Sequence, residues 1–336
     1  MSELQKIAAA IVAPGKGILA ADESTSTIEK RFSSIGVEST EDRRRAYREI
    51  LFTTEGVEEF VSGVILYDET IRQNASDGRP FVEILRSKGI IPGIKTDAGA
   101  KDLANFPGEK VTEGLDGLRE RNIEYARLGA QFAKWRAVIT IGDGIPSDFC
   151  LSANAHALAR YAALSQETGL VPIVEPEVLM DGDHDLDACY DVTHRALTAL
   201  YEQLDLHKVE LAGTLLKPNM VLPGKGCRTA PPEEVAEATI RCFKETVPEA
   251  VPGIVFLSGG QGDEEATANL NAMNTLGPLP WELSFSYGRA LQAPALKAWG
   301  GDDAKADLAK AAFYHRSKMN GLARSGSWTE DAEAAI

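Results

Sequence analysis

Cysteine is scarce in this chain. Only Cys150, Cys189, Cys227 and Cys242 occur, with no CxxC and no zinc-type spacing. That excludes a disulfide scaffold and a structural zinc module, and fits reduced thiols packed as small hydrophobes. Histidine is equally thin. His156, His184, His194, His207 and His315 are scattered without pairing at ligand spacing. The acidic stretch Asp181-Gly182-Asp183-His184-Asp185 reads as a hydrogen-bonded polar turn, so no metal and no cofactor is expected. Long apolar runs are missing too: nothing approaches the ~20 residues of a membrane span. The apolar stretch from Ile7 to Val12 is short for a signal peptide, whose core runs to roughly 7–15 residues. The expectation is an unprocessed cytoplasmic protein. Basic residues are in deficit, 35 against 50 acidic, for a formal net charge of -15. That argues against nucleic acid or an anionic membrane as the main partner, but leaves room for a local basic pocket.

What remains is an ordinary globular composition, 44% hydrophobic and 25% charged, which excludes a disordered or fibrous chain. Its 336 residues allow one large α/β barrel as readily as two smaller domains. No low-complexity linker and no repeat of fixed period divides them. Eight short apolar runs alternate with helical patterns: GILAADE (17–23), GVILYDE (63–69), IIPGIKTD (90–97), FAKWRAVIT (132–140), LVPIVEPE (170–177), VELAGTLLKPN (209–219), GIVFLSGG (253–260) and LSFSYGR (283–289). Nearly continuous apolar runs suit parallel strands buried on both faces. Between them, Ser39 and Asp42 resemble a capping pair before RRRAYREILF. Leu151, Ala155, Leu158 and Ala162 recur at helical spacing. Pro231 and Pro232 mark a helix start, and 263–274 is rich in helix formers. Eight such alternations predict a single (β/α)8 TIM barrel, with an acidic, mobile tail from about residue 325. A doubly wound nucleotide-binding fold would place a glycine-rich loop after strand one, where Asp22-Glu23-Ser24-Thr25 stands instead.

Charges interrupt the apolar runs at their ends. Alternation puts Lys134 and Arg136 on one face of the fourth strand, and Glu175 and Glu177 on one face of the fifth. Asp22 ends strand one, Lys95 lies near the end of strand three, and Lys217 closes strand six. In a barrel these carboxyl ends converge on one mouth. Burial of so many charges costs too much to serve stability alone. Ser258-Gly259-Gly260-Gln261-Gly262 after strand seven and Tyr287-Gly288-Arg289 after strand eight present backbone N–H groups suited to phosphate. Arg289 adds a candidate bidentate donor.

This set suits amine catalysis. A buried lysine beside another cation favours the neutral nucleophile needed for a Schiff base, for which Lys217 is the candidate and Lys134 the neighbour. Glu175 or Glu177 suits the proton donor for carbinolamine dehydration, and Asp22 the base on a β-hydroxyl. Lys95 and Arg31 form a second cation set, so a bisphosphate substrate would fit.

The residues also match a family. GKGILAADEST (15–25), GVIL (63–66), DGRPF (77–81), RSKG (86–89), GIKTD (93–97), GLDGL (114–118), FAKWR (132–136), VPIVEPE (171–177), DGDHDL (181–186), GTLLKPNMV (213–221), FLSGGQ (256–261) and SFSYGRALQAPALKAWGG (284–301) resemble class I, Schiff-base fructose-1,6-bisphosphate aldolase, in order, up to about residue 324. The resemblance implies a metal-independent lyase. It would reversibly cleave fructose 1,6-bisphosphate to dihydroxyacetone phosphate and glyceraldehyde 3-phosphate, in glycolysis and gluconeogenesis, and be commonly homotetrameric. It further implies Lys217 as the Schiff-base lysine, Glu175 as acid/base and Glu177 in support of the lysine network. Lys134 becomes a proton-transfer partner near C2, and Asp22 the base on the C4 hydroxyl. Arg136, Lys95, Ser24, Thr27 and Arg31 become substrate contacts, and Ser258, Gly259, Ser286, Gly288 and Arg289 the proximal phosphate site. Two departures stand out. The chain ends TEDAEAAI at Ile336, without the terminal tyrosine of animal members, and Ser26-Thr27 replaces their glycine and serine. The alternatives are a related ketose-phosphate aldolase, a metal-dependent aldolase and a non-catalytic aldolase-like scaffold. Preference between fructose 1,6-bisphosphate and fructose 1-phosphate stays open. With six cations and three carboxylates among the named residues, the mouth is expected to be a positive well in a negative shell.

Overall fold

The computed structural model describes residues 1–335; the terminal Ile336 noted above lies outside them. Eight parallel strands close a barrel: β1 (Gly17–Ala21), β2 (Val61–Leu66), β3 (Ile91–Lys95), β4 (Phe132–Ile139), β5 (Val171–Val178), β6 (Leu215–Leu216), β7 (Gly253–Phe256) and β8 (Glu282–Tyr287). Each pairs with its sequence neighbours, and β1 closes on β8 through Ile18–Ser286 and Leu19–Tyr287. The expected (β/α)8 barrel is the fold. An antiparallel hairpin, Ala100–Asp102 with Lys110–Thr112, sits in the connection after β3.

Period-two alternation builds the interior. Ile18, Ala20, Ile65, Phe132, Val171, Ile173, Leu215 and Val255 form one buried cluster with Ala8, Ile11 and Val12 of the N-terminal region. The helix Glu3–Ile11 therefore closes the floor of the barrel, its start fixed by a Ser2–Gln5 capping box. Odd and even neighbours such as Leu19, Ala133, Trp135, Val174, Leu216 and Phe256 point outward, into the larger cluster under the helices. The inward parity continues along each strand. Two residues beyond Phe132 comes Lys134, then Arg136. Beyond Ile173 come Glu175 and Glu177, and beyond Leu215 comes Lys217.

The expected helices form at Glu41–Phe52, Asp148–Glu167, Pro232–Thr246 and Asp263–Thr275. Leu151, Ala155, Leu158 and Ala162 are all buried on one of them. Two expectations need correction. The cap of Glu41–Phe52 is Thr40, whose hydroxyl accepts from the Arg43 N–H at 3.2 Å, not Ser39. Strand six is two residues long rather than the predicted 209–219 run. Leu211–Gly213 coils into a 3₁₀ turn, and Pro218 has no N–H to extend the ladder. The C-terminal segment after the helix Ala306–Arg324 carries a short helix, Glu330–Ala334. Its Glu333 pairs with Arg316, and with His315 at 3.3 Å.

Candidate active site

The carboxyl ends of the strands surround a cavity of about 300 Å³, and all fifteen residues singled out from the sequence line it. Lys134, Glu175 and Lys217 are each only 3% exposed. Strand register creates their contact: Lys134 stands opposite Ile173 on β5, and the Lys217 N–H donates to the Val174 carbonyl at 2.8 Å. Glu175 lies between two ammonium groups, with Oε1 3.1 Å from Lys217 Nζ and Oε2 3.1 Å from Lys134 Nζ. Lys134 Nζ also meets Asp22 Oδ2 at 2.6 Å.

These contacts set the protonation states. Burial pushes the Asp22 carboxyl up, but Lys134, Lys217 and Lys95 outweigh it and hold it well below the usual range. Glu175 is lowered in the same way: burial opposes, and Lys134, Lys217 and Arg136 prevail. Burial pulls Lys134 down, yet Asp22 and Glu175 hold its ammonium above the ordinary lysine value. The resting site thus holds one carboxylate between two buried lysines.

The rim holds the remaining cations. Arg136 pairs with Glu177, and Lys95 Nζ with Asp97 Oδ1 at 2.6 Å. Arg31, on the helix Thr25–Ser33, pairs with Glu23. Ser24 and Thr27 hydroxyls meet at 3.1 Å. Across the mouth, Gly259 takes a left-handed φ of 55° in the turn after β7. Arg289 Nη2 donates to the Gly259 and Gln261 carbonyls at 3.0 and 2.9 Å, so its guanidinium braces the turn as well as lining the cavity. Gly288 lets Ala20 and Arg31 approach the start of the helix Arg289–Trp299; a Cβ there would be 3.3 Å from the Ala20 carbonyl and 3.4 Å from Arg31 Nη2. The Ser286 hydroxyl is buried in this wall without a hydrogen-bond partner.

Three residues of the site were missed by sequence reasoning. Asp97 anchors Lys95, and its carboxylate accepts from the Arg136 N–H at 3.3 Å. Its signal was available, since it lies two residues beyond Lys95 in the same motif. Glu23, next to Asp22, takes a second arginine, Arg48 at 3.5 Å, and a hydrogen bond from Gln292 at 2.8 Å. No sequence pattern brings those partners together. Leu257 adds an apolar side to the cavity. Counting Glu23, the cavity holds six cations and four carboxylates, so the positive excess is smaller than expected. Among the described residues no group of three or more His, Cys, Asp or Glu is placed to hold a metal ion. No described helix is long and apolar enough to cross a membrane.

Comparison with known proteins gives one consistent family. Residues 3–336 match the family described as "Glycolytic: Fructose-bisphosphate aldolase class-I". A "Probable fructose-bisphosphate aldolase class 1" of Xanthomonas campestris is 61% identical over 331 residues, covering 98% of this chain and 99% of the relative. "Fructose-bisphosphate aldolase 6, cytosolic" of Arabidopsis thaliana is 56% identical over 332 residues, 98% of this chain and 93% of its own. The fold superposes with a TM-score of 0.96 on the Plasmodium falciparum fructose-bisphosphate aldolase, solved in a ternary complex with TRAP and a small-molecule inhibitor. That chain is 48% identical, over 97% of this chain and 95% of the other.

Proposed function

The chain belongs to the class I fructose-bisphosphate aldolases, lyases that need no metal, and from that premise we propose how its residues divide the work. The substrates are fructose 1,6-bisphosphate in one direction and dihydroxyacetone phosphate with glyceraldehyde 3-phosphate in the other. Lys217 is the nucleophile. Glu175 takes a proton from its ammonium, the freed amine adds to the C2 carbonyl, and Glu175 returns the proton to the departing hydroxyl. Water leaves and a protonated imine remains. The Asp22 carboxylate then accepts the C4-hydroxyl proton as the C3–C4 bond breaks. The bonding electrons move into the imine to give an enamine, and glyceraldehyde 3-phosphate departs. Lys134, between Asp22 and Glu175, keeps both carboxylates ionised and exchanges protons near C2. Glu177 holds Arg136 in place.

One phosphate would sit against Ser258, Gly259, Gly288 and Arg289. There the turn and the start of an eleven-residue helix offer backbone N–H groups, and the unpartnered Ser286 hydroxyl adds a donor. The other would meet Lys95, Arg31, Ser24 and Thr27, with Arg136 binding the sugar between. The observation that carries the reading is the Glu175 carboxylate at 3.1 Å from both buried lysines. Borohydride reduction with dihydroxyacetone phosphate should trap a covalent adduct on Lys217, located by peptide mass mapping. An unmodified Lys217 would overturn the mechanism. The cytosolic name of the Arabidopsis thaliana relative supports a cytoplasmic location, which cell fractionation checks. We read the assembly as a homotetramer.

A further inference from the structure

Lys225 belongs to none of the groups above, yet it crosses the outside of the phosphate turn. The loops after β5 and β6 are joined by three backbone hydrogen bonds, each 2.8 Å long: Gly224 N–H to the His184 carbonyl, Lys225 to Met180, and Gly226 to Gly182. The Lys225 Nζ reaches Asp181 Oδ1 at 2.7 Å. This strap lays the lysine stem directly on Gly260. A Cβ on Gly260 would overlap Lys225 Cε and stand 2.5 Å from Met180 Sδ. Arg289 donates to the carbonyl of the preceding residue, Gly259. A planar peptide points its carbonyl and its N–H in opposite directions. The peptide unit joining Gly259 to Gly260 is therefore held at its carbonyl by a guanidinium and covered at Gly260 by a lysine stem, which together set the direction of its N–H.

We propose that Lys225 is a positioning residue for the phosphate turn, acting through the packing of its stem on Gly260. The inference rests on the reading of that turn as a phosphate site. The Lys225–Asp181 pair is about half exposed on both sides, and such pairs contribute little by charge alone. Apolar cover by the methylene stem is what the turn receives. Gly260 is glycine because the strap leaves no room for a side chain.

Steady-state kinetics on the full chain, with inorganic phosphate as competitive inhibitor, tests this. Lys225→Ala is expected to raise the KM for fructose 1,6-bisphosphate and the inhibition constant of phosphate by about threefold or more, with kcat within about twofold. Lys225→Met keeps the stem without the charge and should restore both. Gly260→Ala should weaken both further, and adding Lys225→Ala to it should improve binding rather than worsen it. If Arg289→Ala weakens phosphate inhibition and Lys225→Ala does not, the strap is refuted and the phosphate site stands. If neither variant moves it, the phosphate reading falls and takes the strap with it. A Lys225→Met variant no better than Lys225→Ala would overturn the packing role.

Discussion

Lys134 governs the charge states in the cavity. It is the leading counter-charge for Asp22 and for Glu175 against the burial that would neutralise them. Because both carboxyls are lowered on folding, the stability they lend is present above their ordinary values of 3.8 and 4.5 and is lost as pH falls below them. Lys134 is raised, so its share is present below 10.5 and is lost only as pH climbs through the higher folded value. The ion pairs are intact across neutral pH. Lys134→Met should lower kcat/KM by about 10²–10⁴-fold, the range for losing a positioned proton-transfer group. It should also move the acid limb of the pH profile upward, since two buried carboxyls lose their cation. A limb that stays in place would mean that other groups hold them ionised.

At the scale of elements, the floor of the barrel decides how β2, β3 and β4 meet. The Phe132 ring fills the space in front of Gly63 and Gly93. A Cβ on Gly63 would come 3.2 Å from the ring, and one on Gly93 would overlap it. That ring lies two residues below Lys134 on the same face, so its seat also sets the height of the lysine. Gly93→Ala should cost about 1–3 kcal/mol by overpacking, read from urea unfolding. Adding Phe132→Leu should return part of it; full additivity would place the strain elsewhere. Element existence was legible in the sequence, because runs buried on both faces are nearly continuously apolar. The short β6 was not. The run from Val209 to Asn219 is as apolar as the others, and what ends the strand is Pro218 together with a 3₁₀ turn that uses the same residue types.

For the whole molecule, the surplus of acidic residues lies outside a cavity where cations outnumber carboxylates by six to four. A sugar bisphosphate can therefore enter a protein of net charge -15. Phe149, Leu206 and Leu308 are large apolar side chains left more than half exposed on the outer helices, apolar surface that assembly can cover. Static light scattering should give four times the mass of the chain, and a monomer mass would refute the tetramer. The sequence by itself determined the barrel and the parity that turns Lys134, Glu175, Glu177 and Lys217 inward, because alternation along a strand is a local property of the backbone. It also carried the family motifs in order. Only the tertiary structure decided which charges pair. Glu175 between two lysines, Glu23 between Arg31 and Arg48, and Lys225 across Gly260 join residues from separate strands, helices and loops. Their contacts follow from barrel closure, strand register and the packing of helices and loops over the strand ends.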